Sequence, residues 1–211
     1  MKKIVSTIVF VFFMNVLPLL FKPDLLLTFK PIFILAGALA MFLTQPAFSV
    51  QEAVTNKTTD RFSIVIILLV SIVSVSSSLV EWAYFNNRVP NNFLMVLGMV
   101  MICSGIAFRV YSITTLGKYF TATARATNQH ILIKTGPYSI VRHPSYLGAI
   151  IVMVGVPVFL NNIVTLFTTI ILLTIAYVIR INTEEKLLNS FFGEEYRQYS
   201  IHVKRLIPYI W

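Results

Sequence analysis

Residues 147–179 read LGAIIVMVGVPVFLNNIVTLFTTIILLTIAYVI, a stretch without one charged side chain and broken at Asn161-Asn162. About 20 apolar residues span the hydrocarbon core of a bilayer, so this run is too long for one crossing and too apolar for a soluble core helix. With a paired-asparagine break at its middle, it reads as two helices in a tight hairpin.

The rest of the chain agrees. Hydrophobic residues make up 57% of the 211 positions and charged residues 12%, about half the charged share of soluble domains. Further spans are expected at Ile4–Leu20, Pro31–Val50, Phe62–Phe85 and Phe93–Ile113. The expected fold class is therefore all-α: a polytopic integral membrane protein of about six transmembrane helices, ending in a helical hairpin.

Charge placement tests that count. With six spans, one side carries Lys2, Lys3, Lys57, Arg61, Lys118, Arg125, Lys134, Arg142, Arg180, Lys186, Arg197, Lys204 and Arg205, and the other only Lys22, Lys30 and Arg88. The positive-inside rule then puts both termini in the cytoplasm, facing the endoplasmic reticulum membrane in a eukaryote or the inner or plasma membrane in a prokaryote. The net charge of +9 is mostly this asymmetry, with attraction to anionic membrane lipid added. Nucleic acid is not an expected partner, because no clustered basic face with stacking aromatics is apparent. The start, MKKIVSTIVFVFFMNVLPLLF, lacks a small-x-small cleavage site and reads as a retained first helix. Cys103 is the only cysteine, which excludes an internal disulfide.

Two ionisable residues, Glu81 and Arg109, fall in or beside the spans. Both sit near expected helix ends, which favours snorkelling to the interface over a buried role. The remaining polar chemistry follows residue 113, dividing the chain into N-terminal membrane helices, 1–113, and a more polar unit, 114–211. In GPYSIVRHPSYLG, residues 136–148, Pro144 disfavours helix before it and suits the first turn after it. Turn chemistry leaves Tyr138, Arg142, His143 and Tyr146 unexplained at a membrane surface. Beyond the hairpin, Leu187, Leu188, Phe191 and Phe192 have helical spacing, so the tail leaves the membrane as an amphipathic helix that Gly193 breaks or bends. Arg180 and Glu184 are spaced for a surface ion pair. The segment GEEYRQY reads as a solvated helix face and His202 as a surface residue. His130, His143 and His202 are scattered, with no zinc-ligand spacing, so no metal is expected. Gly-rich dinucleotide and phosphate loops are absent.

HILIKTGPYSIVRHPSYLG, followed across the hairpin by RINTEEKLLNSFFGEEYRQYSIHVKRLIPYIW, resembles the isoprenylcysteine carboxyl methyltransferase family. The likeness runs from His130 to the C-terminus and is specific in order and spacing; the earlier spans match only in being hydrophobic. It implies methyl transfer from S-adenosyl-L-methionine to the carboxylate of a prenylated cysteine, with the cofactor in a cytosolic pocket between the loop and the last helix. By the same resemblance His130, Ile131, Leu132, Ile133, Tyr138, His143, Pro144, Ser145 and Tyr146 line the cofactor. Glu184 contacts it too, with Glu185 as the alternative one residue on. Arg180 binds the substrate carboxylate and, with Arg142, is the catalytic candidate. The expected substrate is lipophilic, and the sequence sets no oligomeric state. Rival readings are a phospholipid-type N-methyltransferase, an NADPH-dependent membrane sterol reductase and a non-catalytic membrane scaffold.

Overall fold

The computed structural model describes residues 7, 9–44, 58–85, 89–119, 131–208 and 210–211, and each regular element among them is helical. Six apolar helices appear: α1 (Val9–Leu19), α2 (Phe29–Leu43), α3 (Thr58–Val80, continued by a π-helical turn Glu81–Phe85), α4 (Asn92–Leu116), α5 (Pro144–Leu160) and α6 (Ile163–Phe192). A seventh, α7 (Glu194–His202), is polar. Phe62–Phe85, α4 and α6 are long and apolar enough to cross a membrane, whereas α1, α2 and α5 are shorter. Phe62, Val65, Leu69 and Val73 on α3 and Phe167, Ile171 and Ile175 on α6 lie exposed on the outside of the bundle. In water such a surface would be a liability; in lipid it is the solvated face.

The hairpin forms where the sequence places it. Asn161 adopts φ 60°, a left-handed conformation that asparagine tolerates better than most residues. The Asn161 and Asn162 amides then donate to the carbonyls of Val158 and Pro157, closing the end of α5.

Two antiparallel pairings build the bundle. Between α4 and α5, glycines recur seven residues apart on each helix: Gly98 and Gly105 on one, Gly148 and Gly155 on the other. A Cβ at Gly98 would lie 2.3 Å from the Phe159 amide nitrogen, and one at Gly148 would lie 2.8 Å from the Gly105 carbonyl and 2.9 Å from the Arg109 Cβ. With no hydrophobic effect between helices in lipid, backbones close enough to pack are held by dispersion, and only small residues allow that approach. The second pairing sets α3 against α6. Arg180 meets Ser63 at one end of it, with Nη1 3.1 Å from Oγ. At the other end the Asn162 side chain donates to the Ser78 carbonyl at 2.6 Å.

Both ionisable residues in the apolar half differ from expectation. Arg109 is 5% exposed and donates from Nη1 to the Ser145 carbonyl at 2.8 Å. The glycine seam brings α5 close enough for that bond, so the guanidinium need not seek the interface. Glu81 stays at a helix end, but its carboxylate accepts from the Thr165 amide at 2.8 Å and the Val164 amide at 3.4 Å. It thereby caps α6, whose own cap residue Asn162 is committed to Ser78.

Antiparallel packing returns the chain to one end of the bundle, where the connector 131–143 and the tail from Arg180 lie together. Gly193, at φ 53°, ends α6 and turns the chain into α7, as its position suggested.

Candidate active site

The connector reaches this polar end as an extended segment, residues 131–135, and tightens into a 3₁₀ turn at Gly136–Ser139. Gly136 has φ 60°, and Pro137 follows it, so the turn combines the residue that tolerates the left-handed region with one that fixes φ. The turn packs Tyr138 inward. The chain then runs beside the tail as a short parallel bridge, Val141 to Lys204. The Arg142 amide donates to the Lys204 carbonyl at 2.7 Å and the His143 amide to the Arg205 carbonyl at 3.0 Å. Pro144 opens α5 in its first turn.

Side chains lock the two segments further, around Glu185. Its Oε1 accepts from Arg142 Nε at 2.8 Å and Nη2 at 2.6 Å and lies 3.2 Å from His143 Nε2. Its Oε2 accepts from Arg205 Nε at 3.0 Å and lies 2.9 Å from Arg205 Nη2. The side chains of Arg142 and Glu185 are each 8% exposed. Arg142 Nη1 donates to the carbonyls of Ser200, at 3.0 Å, and Val203, at 2.5 Å, meeting the carbonyl end of α7, where a cation is favoured. The Tyr199 hydroxyl donates to the Tyr138 carbonyl at 2.5 Å. Burial first, and then the Glu184 charge, raises the Tyr138 hydroxyl pKa above its ordinary value.

A second polar chain lies beside this clasp. Tyr146, in the first turn of α5, donates its hydroxyl to Glu184 Oε2 at 2.5 Å and accepts from Arg180 Nε at 3.0 Å. Arg180 and Glu184 are therefore joined through a phenol rather than as a surface ion pair, and Arg180 is 3% exposed. The His143 ring stacks on Tyr146, centroids 5.4 Å apart and nearly parallel. Tyr177 also packs on Tyr146, centroids 5.3 Å apart and tilted by 49°. An imidazole stacked on a phenol, over a bridge between a carboxylate and a guanidinium, gives an aromatic-walled polar site where the apolar part of α6 ends.

The other anticipated residues distribute around it. Ile131 is exposed and Leu132 and Ile133 half-buried on the extended segment. Pro144 and Ser145 are buried, the latter through the Arg109 bond to its carbonyl. His130 lies outside the described residues. The fold treats the two adjacent glutamates differently. Glu185 is wholly engaged by its own chain, whereas Glu184 commits Oε2 to Tyr146 and keeps its side chain 23% exposed. The contributions of Arg205, Tyr199 and Ser63 were not foreseen; each depends on a contact distant in sequence. The seven-residue spacing of Gly98/Gly105 and Gly148/Gly155 is a signal of close helix packing that the sequence itself carries. No cluster of potential metal ligands occurs among the described residues.

Fold and site together define a helical membrane protein with a carboxylate–phenol–guanidinium chain at one end of its bundle. Residues 96–190 match the family model described as the isoprenylcysteine carboxyl methyltransferase family. Protein-S-isoprenylcysteine O-methyltransferase B of Arabidopsis thaliana is 31% identical over 144 residues, covering 67% of this chain and 73% of that protein. A probable protein-S-isoprenylcysteine O-methyltransferase of Oryza sativa subsp. indica is 36% identical over 120 residues, 56% of this chain and 63% of that protein. The solved structure of a eukaryotic intramembrane Ras methyltransferase superposes with a TM-score of 0.63 at 24% identity, covering 85% of this chain and 63% of that one. The chain belongs to the isoprenylcysteine carboxyl methyltransferase family, and it spans 63% of the length of its rice relative.

Proposed function

We propose that this protein is an S-adenosyl-L-methionine-dependent methyltransferase that esterifies the carboxylate of an isoprenylated cysteine. The observation that carries the reading is the single phenol of Tyr146 bonded to both Glu184, at 2.5 Å, and Arg180, at 3.0 Å. A donor-binding carboxylate and a substrate-gripping guanidinium are thus held in one rigid chain. The residues present suit the donor. Glu184 Oε1 makes no hydrogen bond among the described residues, and its partly exposed side chain offers an acceptor to a hydroxyl or ammonium group. The extended backbone at Ile131–Ile133 carries apolar side chains and has no backbone partner among the described residues, an edge suited to a purine.

When bound, S-adenosyl-L-methionine supplies an electrophilic methyl group on a positively charged sulfur. The chain's own residues provide orientation. A substrate carboxylate is already ionised at neutral pH, so no side chain need act as its base. Arg180, with its fixed fork of donors, aligns the carboxylate. Its burial beside Tyr146 and Tyr177 keeps water from competing for those donors. Arg142 serves as a positioning residue: its donors are spent on Glu185 and on the end of α7. Because Arg180 sits where the apolar stretch of α6 stops, a head group tethered to a lipid chain meets it at membrane depth. A lipophilic partner is the corollary.

Purified protein incubated with methyl-labelled S-adenosyl-L-methionine and N-acetyl-S-farnesylcysteine tests this directly. The expected product is a base-labile methyl ester, reduced at least a hundredfold in Arg180→Ala. Base-stable label in total lipid extract and none in the prenylcysteine would instead mark an amine acceptor and overturn the substrate assignment.

A further inference from the structure

Beside the short bridge that joins connector to tail lies a cavity of about 150 Å³, lined by Ser139, Ile140, His202, Lys204 and Pro208. None of these side chains belongs to the Tyr146–Arg180–Glu184 chain or to the Glu185 clasp. The volume is that of about five waters in the liquid and well below the roughly 300–1,000 Å³ of sites that enclose a drug-sized molecule. It fits one small polar group, not a whole metabolite.

The lining selects the charge of that group. Lys204 is half-buried, and its ammonium forms no ion pair among the described residues. The His202 ring turns Nδ1 to the Gln198 carbonyl at 3.0 Å, leaving Nε2 for a second partner. Ser139 donates its hydroxyl proton to the Gly136 carbonyl at 2.7 Å. No carboxylate lines the cavity, and on α7 Glu195 pairs with Lys134 and Glu194 with Arg197. A compact ammonium with no counter-charge suits a phosphate.

Position and rim identify the source of that phosphate. The Arg142 amide holds the Lys204 carbonyl at 2.7 Å, two residues before Pro144 opens α5. That 17-residue apolar helix is about 25 Å long, close to the thickness of the hydrocarbon core. Its start, with Lys204 beside it, therefore lies at head-group level. Around the cavity Ile140, Ile201, Ile207 and Ile210 are all exposed. Ile201 adjoins His202 and Ile207 adjoins Pro208; residues 206–211 fold back on themselves, the Leu206 and Ile207 amides donating to the Trp211 carbonyl at 2.9 and 2.8 Å. Scattered apolar residues on a surface are ordinary, but four isoleucines around an unbalanced cation form an amphipathic patch of the kind that beds into lipid. A free phosphate ion would use the lysine and leave the isoleucines in water.

We propose that this cavity binds the phosphate of an anionic phospholipid, with Lys204 on the phosphate, His202 beside it and the isoleucine rim against the acyl chains. A lipid seated there touches connector and tail at once, bracing the two segments that Glu185 also joins. The site goes beyond the methyl-transfer reading and is scored without donor or substrate.

Native mass spectrometry of the full chain released from detergent tests it, with dioleoylphosphatidylglycerol, dioleoylphosphatidylcholine and inorganic phosphate as probes. Wild type is expected to retain its first phosphatidylglycerol about five- to tenfold more tightly than phosphatidylcholine. Lys204→Gln removes that preference, and Ile140→Ser weakens phosphatidylglycerol retention several-fold. Arg197→Gln, which deletes an exposed cation of α7, leaves the preference unchanged. Should Lys204→Gln fail to fold, His202→Ala and Ile140→Ser are read in the same way. Equal retention of the two lipids by wild type, or a preference that survives Lys204→Gln in folded protein, overturns the site. A preference that falls equally in Arg197→Gln marks general attraction to a basic surface and also overturns it. Inorganic phosphate that displaces phosphatidylglycerol at equal concentration marks a soluble-anion site and overturns the lipid assignment.

Discussion

Replacing Glu185 by Gln keeps the side chain's volume and removes the charge that ties the connector to the tail. The carboxylate serves three cationic or donor groups: Arg142, His143 and Arg205, at distances from 2.6 to 3.2 Å. Arg142 and Glu185 are 8% exposed and Arg205 29%, so the first pairing carries most of the energy and the Arg205 bond less, being partly screened. Removing one partner of a buried ion pair costs about 3–5 kcal/mol, because the remaining charge is stranded rather than hydrated. For a chain of this size each kcal/mol moves the midpoint by about 2–4 °C, giving a fall of roughly 6–20 °C in the temperature at which the clasp opens. Trp211 is a local reporter, its ring 5.3 Å from the Arg205 guanidinium. Tryptophan emission followed during heating in detergent should therefore reveal the shift. Glu194→Gln is the control, since its pairing with Arg197 is largely exposed, 68% and 71%, and should leave the midpoint within about 2 °C. A Glu185→Gln protein melting no earlier than that control would refute the clasp as the element that joins loop to tail.

Two further outcomes follow from packing and capping. Gly98→Ala should abolish stable expression or shift the monodisperse peak in size-exclusion chromatography, because its Cβ would lie 2.3 Å from backbone, whereas Gly37→Ala on α2, whose nearest neighbours are the Ile102 and Ile106 side-chain methyls at 3.3 and 3.9 Å, should be tolerated. Glu81→Ala removes the acceptor for two amides at the start of α6 and should cost about 1–2 kcal/mol, read as a midpoint about 2–8 °C lower with the clasp intact.

Much of this architecture was legible because lipid imposes simple rules. Apolar length gave the segments, the Asn161-Asn162 break gave the hairpin, and Pro144 and Gly193 gave a helix start and a helix stop. The surroundings of individual charges were not legible. Arg109 and Glu81, at apparent helix ends, both read as snorkelling residues; one is buried against a carbonyl of α5 and the other caps α6. Arg180 and Glu184, four apart on one helix, read as partners, yet a tyrosine from another helix stands between them.

The sequence by itself determined that the chain is an all-helical membrane protein and roughly where its apolar segments lie. Those features depend on composition and on neighbours a few residues away. Only the tertiary structure decided which of two adjacent glutamates is enclosed by arginines and which stays partly exposed, and that buried Arg109 bonds a backbone carbonyl with no carboxylate in ion-pair distance among the described residues. The physical reason is that a buried charge takes its state from groups dozens of residues away, brought within 3 Å by backbones that touch across a glycine seam.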